Sequence, residues 1–153
     1  MRRLLERVGF VAFFAAWPLF FVYLRRSERT RVILEHEGKV LVVKNWISDN
    51  TWQLPGGGLH HGESLIKGAQ REVREETGIA LEERQIRYIG TETYRKYGHR
   101  FVFHIFVAQG FDVSGLKKQF HEISRVAWLS PSSLTVRDAA PDTLLSLDTW
   151  LRP

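Results

Sequence analysis

The stretch from Pro55 to Ile79 reads PGGGLHHGESLIKGAQREVREETGI and decides how the rest of the chain is interpreted. It predicts a helix that begins near Ser64, a residue type that caps helix N-termini. The helix is expected to end at Gly78, because glycine readily adopts the left-handed cap conformation. Three carboxylates on this helix are three and four positions apart and therefore share one face. They belong to Glu72, Glu75 and Glu76.

This acidic face needs a chemical explanation. Like charges at these spacings destabilise a helix by roughly 0.2–0.5 kcal/mol per pair, so a bare cluster is a poor structural choice. A hard divalent cation reverses the sign of the effect, because Mg²⁺ and Mn²⁺ take carboxylate oxygens as ligands. The spacing therefore indicates a metal-binding helix edge.

The same helix has an apolar face beside the acidic one. Its members fall within about 100° of each other on the helical wheel, which predicts packing on a sheet. The glycines at 56–58 precede the helix and allow backbone atoms to approach a ligand closely. The helix is thus expected to bury one side and present its acidic edge to a cleft. The apolar face comprises Leu65, Ile66, Ala69 and Val73.

Short β-branched and aromatic runs on both sides of this stretch predict strands. RVILEH and KVLVVKNW are joined at Glu37 and Gly38, and a further short strand is expected at 52–54. RQIRYIGTETY, RFVFHIFVAQGF and RVAWLS follow the helix, and leucines at helical spacing predict a last helix over 141–151. The order of elements predicts an α/β (α+β) fold, with helices against a mixed sheet.

Composition and charge limit the class of protein. The chain has 153 residues, enough for one domain, and no cysteine, which excludes disulfides and thiolate metal sites. Its net charge of +5 is carried by residues 1–31, which hold seven arginines and two glutamates, while the remainder sums to zero. This distribution favours a membrane surface and argues against nucleic acid as a partner.

The run from Val8 to Leu24 contains no charged residue and is flanked by arginines. We interpret residues 1–29 as an N-terminal hydrophobic helix that anchors the domain at 30–153 to the inner membrane, with the catalytic domain in the cytoplasm. At about 25 Å it is slightly short for a bilayer span. The alternatives are a signal peptide, or a helix of a soluble cytoplasmic protein packed on its own domain or in a homodimer.

The residues from Gly57 to Ile79 match every defined position of the Nudix box, so the chain resembles the Nudix hydrolases. The resemblance implies an α/β/α sandwich with a mixed sheet, covering about residues 30–153. It also implies Mg²⁺- or Mn²⁺-dependent hydrolysis of a nucleoside diphosphate linked to another moiety, by attack of water on phosphorus. The matched positions are Gly57, Glu63, Arg71, Glu72, Val73, Glu75, Glu76, Gly78 and Ile79.

Metal ligands follow from the same resemblance. Glu75 and Glu76 resemble the direct ligands, and Gly56 resembles the residue whose backbone carbonyl joins them. Glu72 resembles the residue that binds a further cation or orients the attacking water.

Other residues of the motif resemble supporting groups. Arg71 resembles the side chain that holds the carboxylates in place, and its partner one turn along the helix would be Glu75. Glu63 resembles the residue that braces the loop against the helix. Glu122, six residues before Trp128, resembles a loop glutamate that activates water in many members; the alternative is a solvated loop carboxylate.

Candidate substrate-binding residues lie outside the motif. Trp46 and Tyr94 could stack on a base, and Arg95 and Arg100 flank a basic turn that could contact phosphate. Each could instead be an ordinary surface or core residue. Two other functions remain open, namely hydrolysis of an amphiphilic lipid-linked diphosphate at a membrane and a non-catalytic nucleotide sensor.

Overall fold

The computed structural model describes residues 28–46, 50–96, 99–117 and 123–152. These residues form strands, helices and two short 3₁₀ turns, at Glu83–Gln85 and Pro131–Ser133. The elements are β1 (Arg29–His36), β2 (Lys39–Asn45), α1 (Leu65–Thr77), β3 (Ile86–Lys96), β4 (His99–Ala108), β5 (Ile123–Leu129) and α2 (Pro141–Leu151).

The five strands form one sheet in the order β3-β4-β1-β2-β5. The central pair, β1 and β4, is parallel, and the other neighbours are antiparallel. The predicted hairpin between β1 and β2 is present, and Glu37 and Gly38 both have positive φ, at 51° and 72°. Positive φ at both turn residues matches the right-handed twist of the flanking strands. The prediction of a mixed sheet is confirmed.

Side chains of β1 alternate between the two faces of the sheet and are buried on both. Val32 and Leu34 join the core beneath α1, which contributes Ala69 and Val73. Ile33 joins the other core, to which α2 contributes three of its four leucines. Because each face is covered by a helix, the predicted α/β/α sandwich is confirmed.

The segment 52–54 differs from its prediction as a strand. Val43 and Gln53 exchange two backbone hydrogen bonds, but the pairing ends there as an isolated bridge. The next amide, of Leu54, donates to the Thr143 hydroxyl instead, and Pro55 has no amide hydrogen to continue a ladder. The chain therefore leaves β2 just before the glycine loop.

The predicted anchor at 8–24 lies outside the described residues. Within the described part of the chain, no helix has the length and apolar character needed to cross a membrane.

Candidate active site

The glycine loop runs along the first half of β1. The amide of Thr30 donates to the carbonyl of Gly57, and that of Val32 donates to the carbonyl of Pro55, both at 2.8 Å. Gly56 has a φ of 138°, and a Cβ there would lie 2.3 Å from the Thr30 carbonyl oxygen. No residue with a side chain fits this position, so glycine is required where loop and strand meet.

Helix α1 has the predicted caps, which fix its register against this loop. The Ser64 hydroxyl accepts a hydrogen bond from the Lys67 amide at 3.4 Å, and Gly78 closes the helix with a φ of 78°. Ala69 and Val73 bury the apolar face in the core beneath α1. The acidic face is consequently directed along the edge that borders the loop.

Two of the three helix carboxylates contact the loop backbone. Glu76 is 8% exposed, and its Oε2 accepts a hydrogen bond from the Gly56 amide at 3.0 Å. Glu72 lies against Gly57, where a Cβ would come within 2.6 Å of its Oε2. The third, Glu75, has a side chain that is 60% exposed. Glu72 and Glu76 therefore meet the glycines directly, while Glu75 lies at the solvent side.

Arg71 connects three parts of the site, namely the glycine loop, Glu63 and the acidic edge of α1. Its Nε and Nη2 donate to the two oxygens of Glu63, each at 2.9 Å, and Nη2 also donates to the Gly58 carbonyl. Its Nη1 donates to Glu72 at 2.7 Å and to Glu75 at 3.2 Å. The contact expected one turn along the helix, between Arg71 and Glu75, is present. A planar guanidinium suits this role because it offers five donors in a fixed geometry.

The charges in this network shift the pKa values of its members. The hydrogen bond from Arg71 lowers the pKa of the Glu63 carboxyl to about 2. The same hydrogen bond is the main cause of a raised pKa for Arg71, which Glu72 raises further. Both groups are therefore ionised at neutral pH, and the pair is charged on both sides.

The donor set fits a hard divalent cation in chemistry. Carboxylate and carbonyl oxygens are the ligands that Mg²⁺ and Mn²⁺ prefer, and Glu72, Glu76 and Gly56 adjoin the same loop. Among the residues that the structure describes, no three Asp, Glu, His or Cys side chains already converge at ligand spacing. Two of the carboxylates, Glu72 and Glu75, are instead drawn to Arg71.

A buried ion pair supports the loop from the opposite face of the sheet. Arg31 Nε donates to Asp142 Oδ2 at 2.6 Å, and Arg31 Nη1 donates to the Gly56 carbonyl, also at 2.6 Å. Burial alone would lower the pKa of Arg31, but Asp142 outweighs it and the pKa is raised. Gly56 is therefore held through its amide by Glu76 and through its carbonyl by Arg31.

The structure separates the predicted substrate-binding residues. Tyr94 stacks on Phe101, with ring centroids 5.2 Å apart, and packs with Phe103 on the α2 face of the sheet. Arg95 and Arg100 pair with each other across β3 and β4, so alternation places them on the α1 face. Trp46 follows β2 and is 63% exposed. These four residues do not form one subsite.

One predicted site residue lies outside the described part of the chain, and one ion pair beside the site was not predicted from the sequence. Glu122, the predicted water-activating residue, falls outside the described residues. The role of Arg31 and Asp142 was missed, because 111 positions separate them and Arg31 was counted with the basic flank of the apolar run. A signal was available, since an arginine that enters a β-branched run such as RVIL needs a buried partner.

Comparison with known proteins gives the family. The profile of the NUDIX domain matches residues 2–149. The chain is 31% identical over 118 residues to a "MutT-like protein" of Streptomyces ambofaciens, covering 76% of this chain and 71% of that one. It is 42% identical over 55 residues to an RNA pyrophosphohydrolase of Acinetobacter baylyi, covering 36% and 32% of the two chains.

The fold has close structural counterparts. The crystal structure of a MutT NUDIX hydrolase from Burkholderia pseudomallei superposes with a TM-score of 0.70, at 20% identity, over 80% of this chain and 96% of the other. The protein belongs to the Nudix hydrolase family, whose members hydrolyse nucleoside diphosphates linked to another moiety. By class it is a Nudix hydrolase.

Proposed function

We propose that this protein hydrolyses a phosphoanhydride bond in a nucleotide-type small molecule by attack of water on phosphorus, with Mg²⁺ or Mn²⁺ as cofactor. The observation that carries the proposal is the convergence of Glu72 and Glu76 on the backbone of Gly56 and Gly57. The family membership supports the reaction class. The carboxylate edge supports the metal requirement, because it places oxygen donors of the kind that Mg²⁺ and Mn²⁺ bind beside the glycine loop.

The residues that would hold the cation are Glu72, Glu75, Glu76 and the carbonyl of Gly56. When bound, a divalent cation neutralises charge on phosphate oxygens and lowers the pKa of bound water. The carbonyl oxygen of Gly56 has two lone pairs. Arg31 occupies one of them, so the second is available to a cation.

The protein's own residues supply position and proton transfer. Arg71 fixes the carboxylates of Glu72 and Glu75 from one side, which limits the geometries they can adopt. Glu122 is proposed as the base that takes the proton of the attacking water, on its sequence position alone. Tyr94 is proposed to stack on the base of the substrate, because its half-buried ring lies on the α2 face of the sheet, the face from which Arg31 contacts the Gly56 carbonyl.

A substrate panel tests the proposal. The full-length chain, freed of metal with EDTA and then supplied with Mg²⁺ or Mn²⁺, is assayed on nucleoside triphosphates, nucleotide sugars, ADP-ribose, dinucleoside polyphosphates and diphosphate lipids. We expect turnover of at least one water-soluble nucleotide, with ¹⁸O from labelled water in one phosphate product. Turnover that persists in EDTA, or no turnover of any compound, would contradict the proposal.

The proposed inner-membrane association rests on the sequence of residues 8–24. Carbonate and high-salt washes of cell membranes test it directly. An anchored protein stays in the pellet after both washes, whereas a protein that appears in the supernatant is not anchored by this run.

A further inference from the structure

The first half of β1 places two arginines on the same face of the sheet. Arg29 and Arg31 are two residues apart in an extended strand, so their side chains point the same way, toward the α2 face. Arg31 is neutralised by Asp142. None of the ion pairs among the described residues includes Arg29, and its Nε is buried without a hydrogen-bond partner.

Such a cation is unfavourable for folding. Burial lowers the pKa of Arg29, and the neighbouring charge of Arg31 lowers it further. An arginine nonetheless stays protonated at neutral pH, so the positive charge remains. Its Nε is a buried N–H donor without an acceptor, which costs stability, and an anion that arrives from outside would supply the missing acceptor.

The position of Arg29 connects it to the candidate active site. Its backbone forms an isolated bridge with Gly58, one residue beyond the loop positions that contact Glu72 and Glu76. It lies opposite Phe103 in the parallel register of β1 and β4. Phe103 in turn packs edge-on against Tyr94, at 6.1 Å between ring centroids. Arg29 therefore lies between the acidic edge of α1 and the aromatic pair of Tyr94 and Phe103.

We propose that the Arg29 guanidinium binds the phosphate chain of the substrate beside the acidic edge of α1. This assignment rests on the proposed function, since it requires a diphosphate at that edge. A guanidinium binds phosphate oxygens through two parallel N–H donors, which matches a buried Nε that has no acceptor within the protein. When the phosphate chain is bound at Arg29, the base of the nucleotide extends to Tyr94, which lies on the same face of the sheet.

Binding of a non-hydrolysable diphosphate tests the assignment. Titration calorimetry with imidodiphosphate in Mg²⁺ compares the full-length wild type with Arg29→Gln, Arg29→Lys and the control Arg87→Gln, an exposed arginine of β3. Charged hydrogen bonds of this kind change affinity by about 10–150-fold. We expect Arg29→Gln to weaken binding at least about 10-fold, Arg29→Lys to recover part of it, and Arg87→Gln to bind as the wild type does.

A thermal unfolding measurement separates binding from a structural role. Removal of an unpaired cation next to Arg31 should leave the Tm of Arg29→Gln unchanged or raise it. A clearly lowered Tm, or imidodiphosphate binding equal to that of the wild type, overturns the assignment. If Glu76→Gln abolishes turnover while Arg29→Gln binds normally, only the Arg29 assignment fails. If the wild type neither binds imidodiphosphate nor turns over any nucleotide, the proposed function fails as well.

Discussion

Arg31 and Asp142 form an ion pair across 111 residues of sequence, with 2.6 Å between Nε and Oδ2 and both side chains 7% exposed. The pair ties the start of β1 to the first turn of α2. Through its second contact, to the Gly56 carbonyl, it also fixes the loop that borders the acidic helix edge. The stability of the fold and the shape of the candidate site therefore depend on one buried interaction.

Loss of this pair should be costly. Asp142→Asn leaves the Arg31 charge buried without its counter-ion, and breaking buried pairs in this way costs about 3–5 kcal/mol. Urea unfolding should show that loss, whereas Asp148→Asn, on the same helix with its side chain 59% exposed, should change stability by less than about 0.5 kcal/mol. Equal stability of the two variants would contradict the assigned role of Asp142.

Adjacent glycines of the loop provide a matched pair for catalysis. A Cβ at Gly57 would lie 2.6 Å from the Glu72 carboxylate, whereas a Cβ at Gly58 has open space within 4 Å. Gly57→Ala should therefore displace Glu72 and lower kcat by about 10–100-fold, the range seen for groups that orient metal ligands. Gly58→Ala should keep kcat within about twofold. The prediction fails if both variants turn over substrate at the wild-type rate.

Acid should remove the contribution of Glu63 to stability. The pKa of Glu63 is lowered from 4.5 to about 2, so the stabilisation is present above its ordinary pKa and is lost as the pH falls toward 2. Wild type should be more stable than Glu63→Gln at pH 7, and the difference in unfolding free energy should shrink between about pH 4.5 and 2. Urea midpoints at several pH values measure this, and a constant difference would contradict it.

Tyr94 is expected to contribute to substrate binding. Tyr94→Leu keeps an apolar side chain beside Phe101 but removes the ring that could stack on a base, which is worth about 1–3 kcal/mol. KM for a nucleotide substrate should rise by about 5–150-fold. Tyr88→Leu, on the opposite face, should leave KM unchanged. A KM that does not distinguish the two variants would exclude stacking at Tyr94.

Local features of the sequence predicted the fold well. The caps of α1, its apolar face and the hairpin at Glu37 depend on residues within a few positions of each other, and the structure has all of them. The acidic edge could be read from helical spacing alone. The motif therefore predicted the helix and the side it presents to the loop.

Long-range and register-dependent features could not be predicted in the same way. Nothing local pairs Arg31 with Asp142. A bulge between Tyr88 and Gly90 reverses the alternation of β3, so Tyr88 and Tyr94 lie on opposite faces although they are an even number of residues apart. The separation of Tyr94 from Arg95 has a simpler origin, because adjacent residues of a strand point to opposite faces, and the sequence analysis did not apply this rule to them.

The rate of nucleotide hydrolysis by Glu76→Gln at saturating Mg²⁺ tests the central proposal most directly. Glu76 is the buried carboxylate that contacts the glycine loop, and Glu83, in an exposed turn, gives the control Glu83→Gln. Groups that only orient metal ligands already change activity by about 10–100-fold. We predict that Glu76→Gln loses more than about 100-fold in kcat while Glu83→Gln keeps the wild-type rate. A folded Glu76→Gln variant with wild-type turnover would contradict metal-dependent hydrolysis at this helix edge.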